Sequence, residues 1–213
     1  GMLAGVVTGL LHTKMKIPAL LAGILTMIAL YSVNLRIMGK ANLSLLGVDT
    51  AFKLAKSALD LSMAQTTLVV GLAATLIVGF FMYWFFGTQI GAAIRATGFN
   101  QQMIRAQGVD TDITIILGLL LSNGLVAVSG ALVAQSNGFS DVGMGTGTIV
   151  IGLASVIIGE VLFGTRSFKN CLISVVLGSI VYRIVIAAVL AMGMPPNDLK
   201  LFTSVLVALA LSM

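Results

Sequence analysis

Two long apolar runs, at residues 66–86 and 113–134, flank a polar segment at residues 87–111. Each run is long enough to cross a bilayer as a helix, which needs about 20 apolar residues. The polar segment contains helix-forming residues, two arginines, and the glycines Gly98 and Gly108. Because it is too long for a tight turn, we expect it to fold as an ordered helical surface between two membrane helices.

The composition indicates an integral membrane protein in contact with the lipid bilayer. Hydrophobic residues make up 58% of the chain, charged residues 9%, and the mean hydropathy is +1.10. A soluble domain carries about 25% charged residues. The net charge of +5 does not indicate a nucleic-acid partner, because the basic residues form short clusters between apolar runs. Basic and aromatic residues do not alternate as they do in nucleic-acid surfaces.

The apolar runs predict an all-α polytopic membrane protein with about six transmembrane or re-entrant helical segments. A run at residues 2–11 is too short to span a bilayer alone, so we expect helices upstream of this chain. The later segments lie at residues 17–38, 66–86, 113–134, 149–163 and 172–192, and another begins at 199–213.

The short basic loops predict how the chain is oriented. The positive-inside rule places Lys14, Arg95 and Arg166 in the cytoplasm, so the segment 87–111 also faces the cytoplasm. The loop at 39–65 then faces outward. Its apolar residues alternate with charged ones in a pattern that predicts a short amphipathic helix.

The stretch at residues 138–164 is rich in glycine, which weakens a continuous helix. One interpretation is a broken or re-entrant helix lining a pathway, since irregular backbone at membrane depth must be covered by protein or water. The other is close helix packing through small residues. The spacing of Gly5 and Gly9 suits close packing in the same way.

Among the polar residues within predicted spans, Asn123, Glu160 and Arg183 are the candidates for a pathway or structural role. An arginine at a helix centre costs about 2.5–3.5 kcal/mol on insertion scales, so Arg183 is expected to face protein or water. It either lines a solute path and meets a carboxylate, pairs with Glu160 or backbone carbonyls, or extends toward the interface. Glu160 lies near the end of its segment, where extension to the interface suffices. We expect Asn123 to hold helices together rather than to contact solute.

The sequence does not bring together the residues that enzymatic or metal chemistry needs. A membrane hydrolase needs a nucleophile with a base, or paired carboxylates. The single histidine, His12, and the single cysteine, Cys171, are far apart, so we predict no metal site and no cofactor. A secondary transporter is the remaining alternative, because glycine-rich helices broken at the membrane midplane also suit that class.

The polar segment resembles a cytoplasmic motif of the inner-membrane permease family of ABC importers for branched-chain amino acids, simple sugars and nucleosides. The resemblance rests on the order and spacing of the motif. It also rests on the basic loop followed by Ile-Pro at residues 14–18, where a span begins, and on the glycine-rich stretch. Met103 and Ile104 depart from the pattern, since small residues are usual there. The matching residues are Gly91, Arg95, Ala96, Gly98, Asn100, Arg105, Gly108, Val109 and Asp110.

The resemblance implies a permease subunit in the cytoplasmic (inner) membrane of a bacterium, without catalytic activity of its own. It would form one permease domain over residues 1–213 and work as a dimer, expected to be a homodimer. ATP-binding cassette ATPase subunits and an extracytoplasmic substrate-binding protein would be its other partners. An amino acid or a similar small polar solute would be transported by alternating access.

The resemblance also assigns residues 87–111 as the loop that couples the permease to its ATPase. Two short helices, near 88–97 and 101–107 and broken by Gly98, would form a stiff element. Ile94, Phe99, Met103 and Ile104 would fill a groove on the ATPase. Arg95 and Arg105 would pair with acidic groups or cap helix C-termini, or would simply follow positive-inside statistics. Asn100 and Gly108 complete the predicted coupling residues.

Overall fold

The structure, a computed structural model, describes residues 1–59, 62–145, 148–193 and 205. Within these residues the chain forms nine helices and one two-stranded sheet. The helices are α1 (Met2–Thr13), α2 (Ala19–Met38), α3 (Ala51–Leu59), α4 (Met63–Gly87), α5 (Gln89–Phe99), α6 (Gln101–Ala106), α7 (Thr111–Asn137), α8 (Thr148–Phe163) and α9 (Phe168–Ala191). The strands are β1 (Asn42–Ser44) and β2 (Phe139–Asp141). The segment predicted at 199–213 lies outside the described residues, apart from 205.

Four helices are long and apolar enough to cross a membrane: α2, α4, α7 and α9, with 20, 25, 27 and 24 residues. They confirm the spans predicted at 17–38, 66–86, 113–134 and 172–192. A helix satisfies its own backbone hydrogen bonds, so it is the form that such apolar runs adopt in lipid. The chain is therefore an all-α polytopic membrane protein.

The chain divides into two compact units, Gly1–Met144 and Gly145–Met213. In the first unit, α1 packs closely against α7 through its glycines. A Cβ atom on Gly5 would overlap the backbone of Leu119, and one on Gly9 would lie 2.9 Å from the side chain of Ile116. This confirms the close helix contact predicted from the glycine spacing. On its other side, α1 contacts α2 through a buried hydrogen bond of 2.9 Å between Thr8 and Thr26.

At one end of the first unit, β1 and β2 pair antiparallel, with Leu43 opposite Ser140. The sheet joins the loop after α2 to the end of α7. The side chain of Gln135 in α7 accepts a hydrogen bond of 3.0 Å from the backbone N–H of Ala51, at the start of α3. Phe52 is buried, so α3 is the amphipathic helix predicted for the loop at 39–65.

In the second unit, α8 and α9 pack antiparallel through small residues. A Cβ atom on Gly159 would overlap the carbonyl oxygen of Ser174, and one on Gly178 would overlap that of Ser155. Helix α8 continues without a break through Gly152 and Gly159. Close packing is therefore the role of Gly159, as the second interpretation of the glycine-rich stretch predicts.

Residues 138–145 of the glycine-rich stretch are not helical. Gly138 ends α7 in a left-handed conformation with φ 75°, and β2 and a turn follow it. The break in helical structure therefore precedes α8. It falls where the chain leaves one long helix, and not in the middle of a span.

Candidate functional site: the helix pair between α4 and α7

Helices α5 and α6 form the candidate site, and the break between them lies at Asn100. The backbone of Asn100 is extended, with φ −154° and ψ 98°, and its side chain accepts a hydrogen bond of 3.0 Å from the N–H of Met103. The predicted break at Gly98 is wrong, because α5 continues through Gly98 to Phe99. A glycine inside a helix costs about 1 kcal/mol relative to alanine and is tolerated, whereas asparagine is a preferred N-cap that starts a new helix.

The first helix of the pair folds back against the end of α4. Thr88 caps α5 by accepting a hydrogen bond of 3.3 Å from the N–H of Gly91. Gly91 is buried, and a Cβ atom there would overlap the carbonyl oxygen of Phe85. The matched glycine at this position therefore permits a tight reversal between a membrane helix and the polar segment.

Helix α5 is joined to α7 by a buried polar contact. The hydroxyl groups of Thr97 and Thr114 lie 2.9 Å apart, and these residues are 3% and 6% exposed. Ile94 also faces α7, where its Cγ2 atom lies 3.4 Å from the position a Cβ atom on Gly118 would take. Arg95 is half-buried in the same helix. Most of one face of α5 is thus covered by its own chain.

Helix α6 is joined to the start of α7 by Arg105. The guanidinium group donates from Nε to the hydroxyl of Thr111 at 3.0 Å and from Nη2 to Asp112 at 2.9 Å. Lys14, after α1, lies 3.9 Å from the same carboxylate. Arg105 therefore pairs with an acidic group of its own chain, whereas its predicted role toward the ATPase stays a prediction.

The loop between α6 and α7 is shaped by Gly108 and Asp110. Gly108 has φ 85°, a conformation that glycine adopts without the strain other residues incur. Asp110 caps α7 by accepting a hydrogen bond of 2.9 Å from the N–H of Asp112. Both residues belong to the matched motif, and both fix where α7 begins relative to α6.

Two large apolar side chains project from the junction of the helix pair, and a third exposed one, Ile90 (56% exposed), lies at the start of α5. Phe99 is 92% exposed and Met103 is 54% exposed, and we refer to them as the apolar pair. Ile104 is only 5% exposed, because it lies about 100° around α6 from Met103, on a side that its own chain covers. Its predicted place in a partner's groove is wrong for that reason. Ile94 is half-buried against α7 and likewise does not belong to the exposed surface.

Asn123, Glu160 and Arg183, the polar residues singled out within spans, belong to helices α7, α8 and α9 and not to the helix pair. Asn123 donates a hydrogen bond of 2.9 Å to the carbonyl of Leu119 in its own helix, and so does not bridge helices. Glu160 and Arg183 are both exposed. Among the described residues, neither side chain forms an ion pair or a hydrogen bond, so the pairing of these two side chains, one of the alternatives for Arg183, is not formed.

Sequence reasoning missed the threonines that hold the helix pair in place. Thr97, Thr111 and Thr114 are buried polar residues beside or within apolar segments. A small hydroxyl residue at such a position is a signal for an interhelical contact, but its partner depends on the fold. In the part of the chain that the structure describes, no group of three or more metal-ligating side chains is found.

Comparison with known proteins identifies the family. The sequence model described as "Branched-chain amino acid transport system / permease component" matches residues 1–211. The chain belongs to this family. The resemblance to permeases of ABC importers is thereby confirmed, and this branched-chain amino acid permease family member is the permease component of a transport system for small solutes.

Curated relatives support the assignment of this permease. It is 42% identical over 207 residues to a tyrosine transport system permease protein of Clostridioides difficile, covering 97% of this chain and 67% of the relative. It is 33% identical over 216 residues to an uncharacterised protein of Rickettsia prowazekii, covering 100% of this chain and 75% of that one. An autoinducer 2 import system permease protein of Salmonella typhimurium is 27% identical over 166 residues, covering 76% of this chain and 45% of the relative. No solved structure gives a significant match.

Proposed function

We propose that this permease is the membrane subunit of an ATP-driven importer in the cytoplasmic membrane of a bacterium. Residues 1–213 form a single permease domain, in line with a family match that extends across both compact units. The permease pairs with a second permease subunit. Separate ATPase subunits hydrolyse ATP, and an extracytoplasmic binding protein delivers the solute.

The observation that carries the proposal is the anchored helix pair with its exposed apolar pair. A coupling element has to be stiff, since otherwise the motion of an ATPase would be absorbed by the loop. Helices α5 and α6 are held to α7 by the Thr97–Thr114 and Arg105–Asp112 contacts. Phe99 and Met103 remain exposed, as a docking surface for a soluble partner requires.

The proposed mechanism follows from these contacts. ATPase closure moves the apolar pair, and the anchored helices transmit this displacement to α7. Because α1 packs on α7 through Gly5 and Gly9, the two helices move together. Access to a central path then alternates between the two sides of the membrane. In this mechanism the permease contributes binding surfaces and motion but no reacting group.

The cytoplasmic position of residues 87–111 rests mainly on the matched motif. Basic residues are found at both ends of the first unit: Lys14, Lys16, Arg95 and Arg105 at the end with α5 and α6, and Arg36, Lys40, Lys53 and Lys56 at the other. The positive-inside rule therefore gives only a small bias. The helix pair is the feature that demands a soluble partner, and an ATPase is cytoplasmic.

We propose an amino acid as the solute. The family is described by branched-chain amino acid transport, and a relative covering most of the chain is named for tyrosine. Uptake of each of the twenty labelled amino acids into cells expressing the complete system would test this part. The result expected is ATP-dependent uptake of one or a few of them.

Co-purification tests the ATPase partnership. The full-length permease, extracted in mild detergent, is expected to bring down an ATP-binding subunit. Replacing the apolar pair by Phe99→Asp and Met103→Asp should abolish recovery of that subunit. Leu46→Asp is the matched control, because Leu46 is 85% exposed but lies in the loop near β1, away from the helix pair.

Two outcomes would contradict the proposal. Recovery of the ATPase with the doubly substituted protein would remove the apolar pair from the interface. Recovery of no ATPase at all, with uptake that follows an ion gradient, would indicate an ion-coupled secondary transporter instead.

A further inference from the structure

Arg183 lies well inside α9 and is exposed in the part of its unit that the structure describes. It comes 15 residues after the start of α9 and 8 before its end. At 1.5 Å per residue it is about 12 Å from the nearer end of the helix. Ser174 and Gly178 face α8, and Tyr182 is buried on the same side of α9. At 100° per residue, Arg183 is turned about 100° from Tyr182, about 140° from Gly178 and about 180° from Ser174.

The packing register explains why Glu160 does not neutralise Arg183. Gly159 lies against Ser174, and Gly178 lies against Ser155, so α8 and α9 run antiparallel with fixed levels. This register places Arg183 level with apolar residues near Val150. Glu160 is level with a position of α9 about ten residues before Arg183, and this offset corresponds to roughly 15 Å along the helix.

The other acidic residues that the structure describes are also not placed to neutralise Arg183. Each lies in a loop, in a short strand or in the first turn of a helix, and none lies within the apolar part of a span. They are Asp49, Asp110, Asp112 and Asp141. Among the described residues, Arg183 therefore has no acidic partner at its depth.

We infer that Arg183 lines the solute pathway and binds the carboxylate of the transported amino acid, an inference that rests on the proposed function. An arginine at membrane depth faces water or an anion, and it marks a substrate path more often than a lipid-facing surface. Its guanidinium group binds a carboxylate through two parallel hydrogen bonds.

A neighbouring residue supports an amino acid as the ligand. Ser179 precedes Arg183 by one helical turn and is also exposed, so the two side chains share one side of α9. The Ser179 hydroxyl donates to the carbonyl of Val176 at 2.7 Å, which leaves its oxygen available to accept from an ammonium group. A carboxylate on Arg183 and an ammonium group near Ser179 would match the two charged groups of an amino acid.

Transport by the complete importer tests the role of Arg183 in binding. With the amino acid identified by the uptake screen, Arg183→Gln should lower the rate of ATP-dependent uptake about 10- to 100-fold, the range expected for loss of a hydrogen bond to a charged group. Arg183→Lys should recover part of the rate. Assembly with the ATPase and stimulation of ATP hydrolysis by the loaded binding protein should stay as in the parent.

Accessibility tests the pathway without reference to the solute. Cys171 is the single cysteine, so Cys171→Ser provides a cysteine-free background. In that background Arg183→Cys should react with a membrane-impermeant methanethiosulfonate reagent. Ile184→Cys is the matched control and should not react, because Ile184 is 61% exposed on the next face of α9, which we expect to contact lipid.

Each contrary result has its own meaning. Unchanged uptake by Arg183→Gln, or an unreactive Arg183→Cys, would overturn the pathway assignment while leaving the importer intact. Loss of assembly by Arg183→Gln would show instead that the arginine holds a subunit contact. If the parent takes up no amino acid, the proposed solute and the carboxylate ligand both fail, and labelling still decides whether Arg183 meets water.

Discussion

The guanidinium group of Arg105 donates a hydrogen bond of 2.9 Å to Asp112, which joins helix α6 to the first turn of α7. The same side chain donates to Thr111 at 3.0 Å. The two bonds use the planar fork of the arginine, whose donors are fixed relative to each other. A rotation of α6 would therefore be passed directly to the membrane helix that follows it.

Removing this contact should uncouple ATP hydrolysis from transport with little loss of stability. The side chains of Arg105 and Asp112 are 65% and 29% exposed, so the ion pair contributes only about 0.2–1 kcal/mol to folding. Arg105→Gln, Asp112→Asn and the double variant should each lower the amount of solute moved per ATP severalfold. Proteoliposomes containing the importer would provide both rates.

The double variant decides whether the two residues act together. If the pair is one coupling device, the double variant should lose no more than either single variant. Additive losses would indicate separate roles. Lys14→Gln is the milder control, because Lys14 lies 3.9 Å from Asp112 and its side chain is 66% exposed.

Gly98 offers a test of the stiffness of α5 by two opposite substitutions. No atom lies within 4 Å of a Cβ added at Gly98, so Gly98→Ala should stabilise α5 by up to about 1 kcal/mol and preserve uptake. Gly98→Pro removes a backbone donor and clashes with the carbonyl of Ile94, at a cost of about 3 kcal/mol. It should abolish uptake while the protein still inserts in the membrane.

Uptake and membrane content would be measured together for both Gly98 variants. Full uptake by Gly98→Pro would show that the end of α5 does not transmit the motion of the ATPase. Loss of uptake by Gly98→Ala would point to a contact at Gly98 with a partner subunit.

The buried contact between Thr97 and Thr114 should contribute to the stability of the first unit. Thr97→Val and Thr114→Val each replace one hydroxyl by a methyl group of similar size, so the hydroxyl of the remaining threonine loses its partner. Each substitution should lower the free energy of unfolding by about 1 kcal/mol. The double variant should cost less than the sum of the two. Thermal unfolding in detergent would supply the three values, and strict additivity would show that the hydroxyl contact is not coupled.

The long helices and the polar segment could be predicted from the sequence because run length and hydropathy are local properties. The amphipathic α3 and the close contact at Gly5 were predictable for the same reason: spacing along one helix determines which residues share a face. The capping residue Asn100 also carried a local signal, since asparagine is favoured before a new helix. The break was predicted at Gly98 instead, because glycine is the stronger helix breaker.

The burial of single side chains and the contacts between helices could not be predicted, because they depend on which helices pack together. Ile104 and Met103 are neighbours in α6, yet one is 5% and the other 54% exposed, and only the packing of the folded chain around α6 decides between them. The pairing of Thr97 with Thr114 has the same origin. Glu160 and Arg183 looked like partners because both are charged and within spans, but the register of α8 and α9 separates them.

The packing of α8 on α9 yields a prediction in which identical substitutions have different effects. Gly159→Ala and Gly178→Ala each place a methyl group against backbone of the facing helix, so the helices must separate. Overpacking of this kind costs about 1–3 kcal/mol. Gly152→Ala lies in α8 with no atom within 4 Å of the added Cβ, and alanine is the better helix former, so it should be neutral or stabilising. Melting temperatures of the three purified variants in one detergent would show the contrast, and equal values for Gly152→Ala and Gly159→Ala would contradict the observed helix contact.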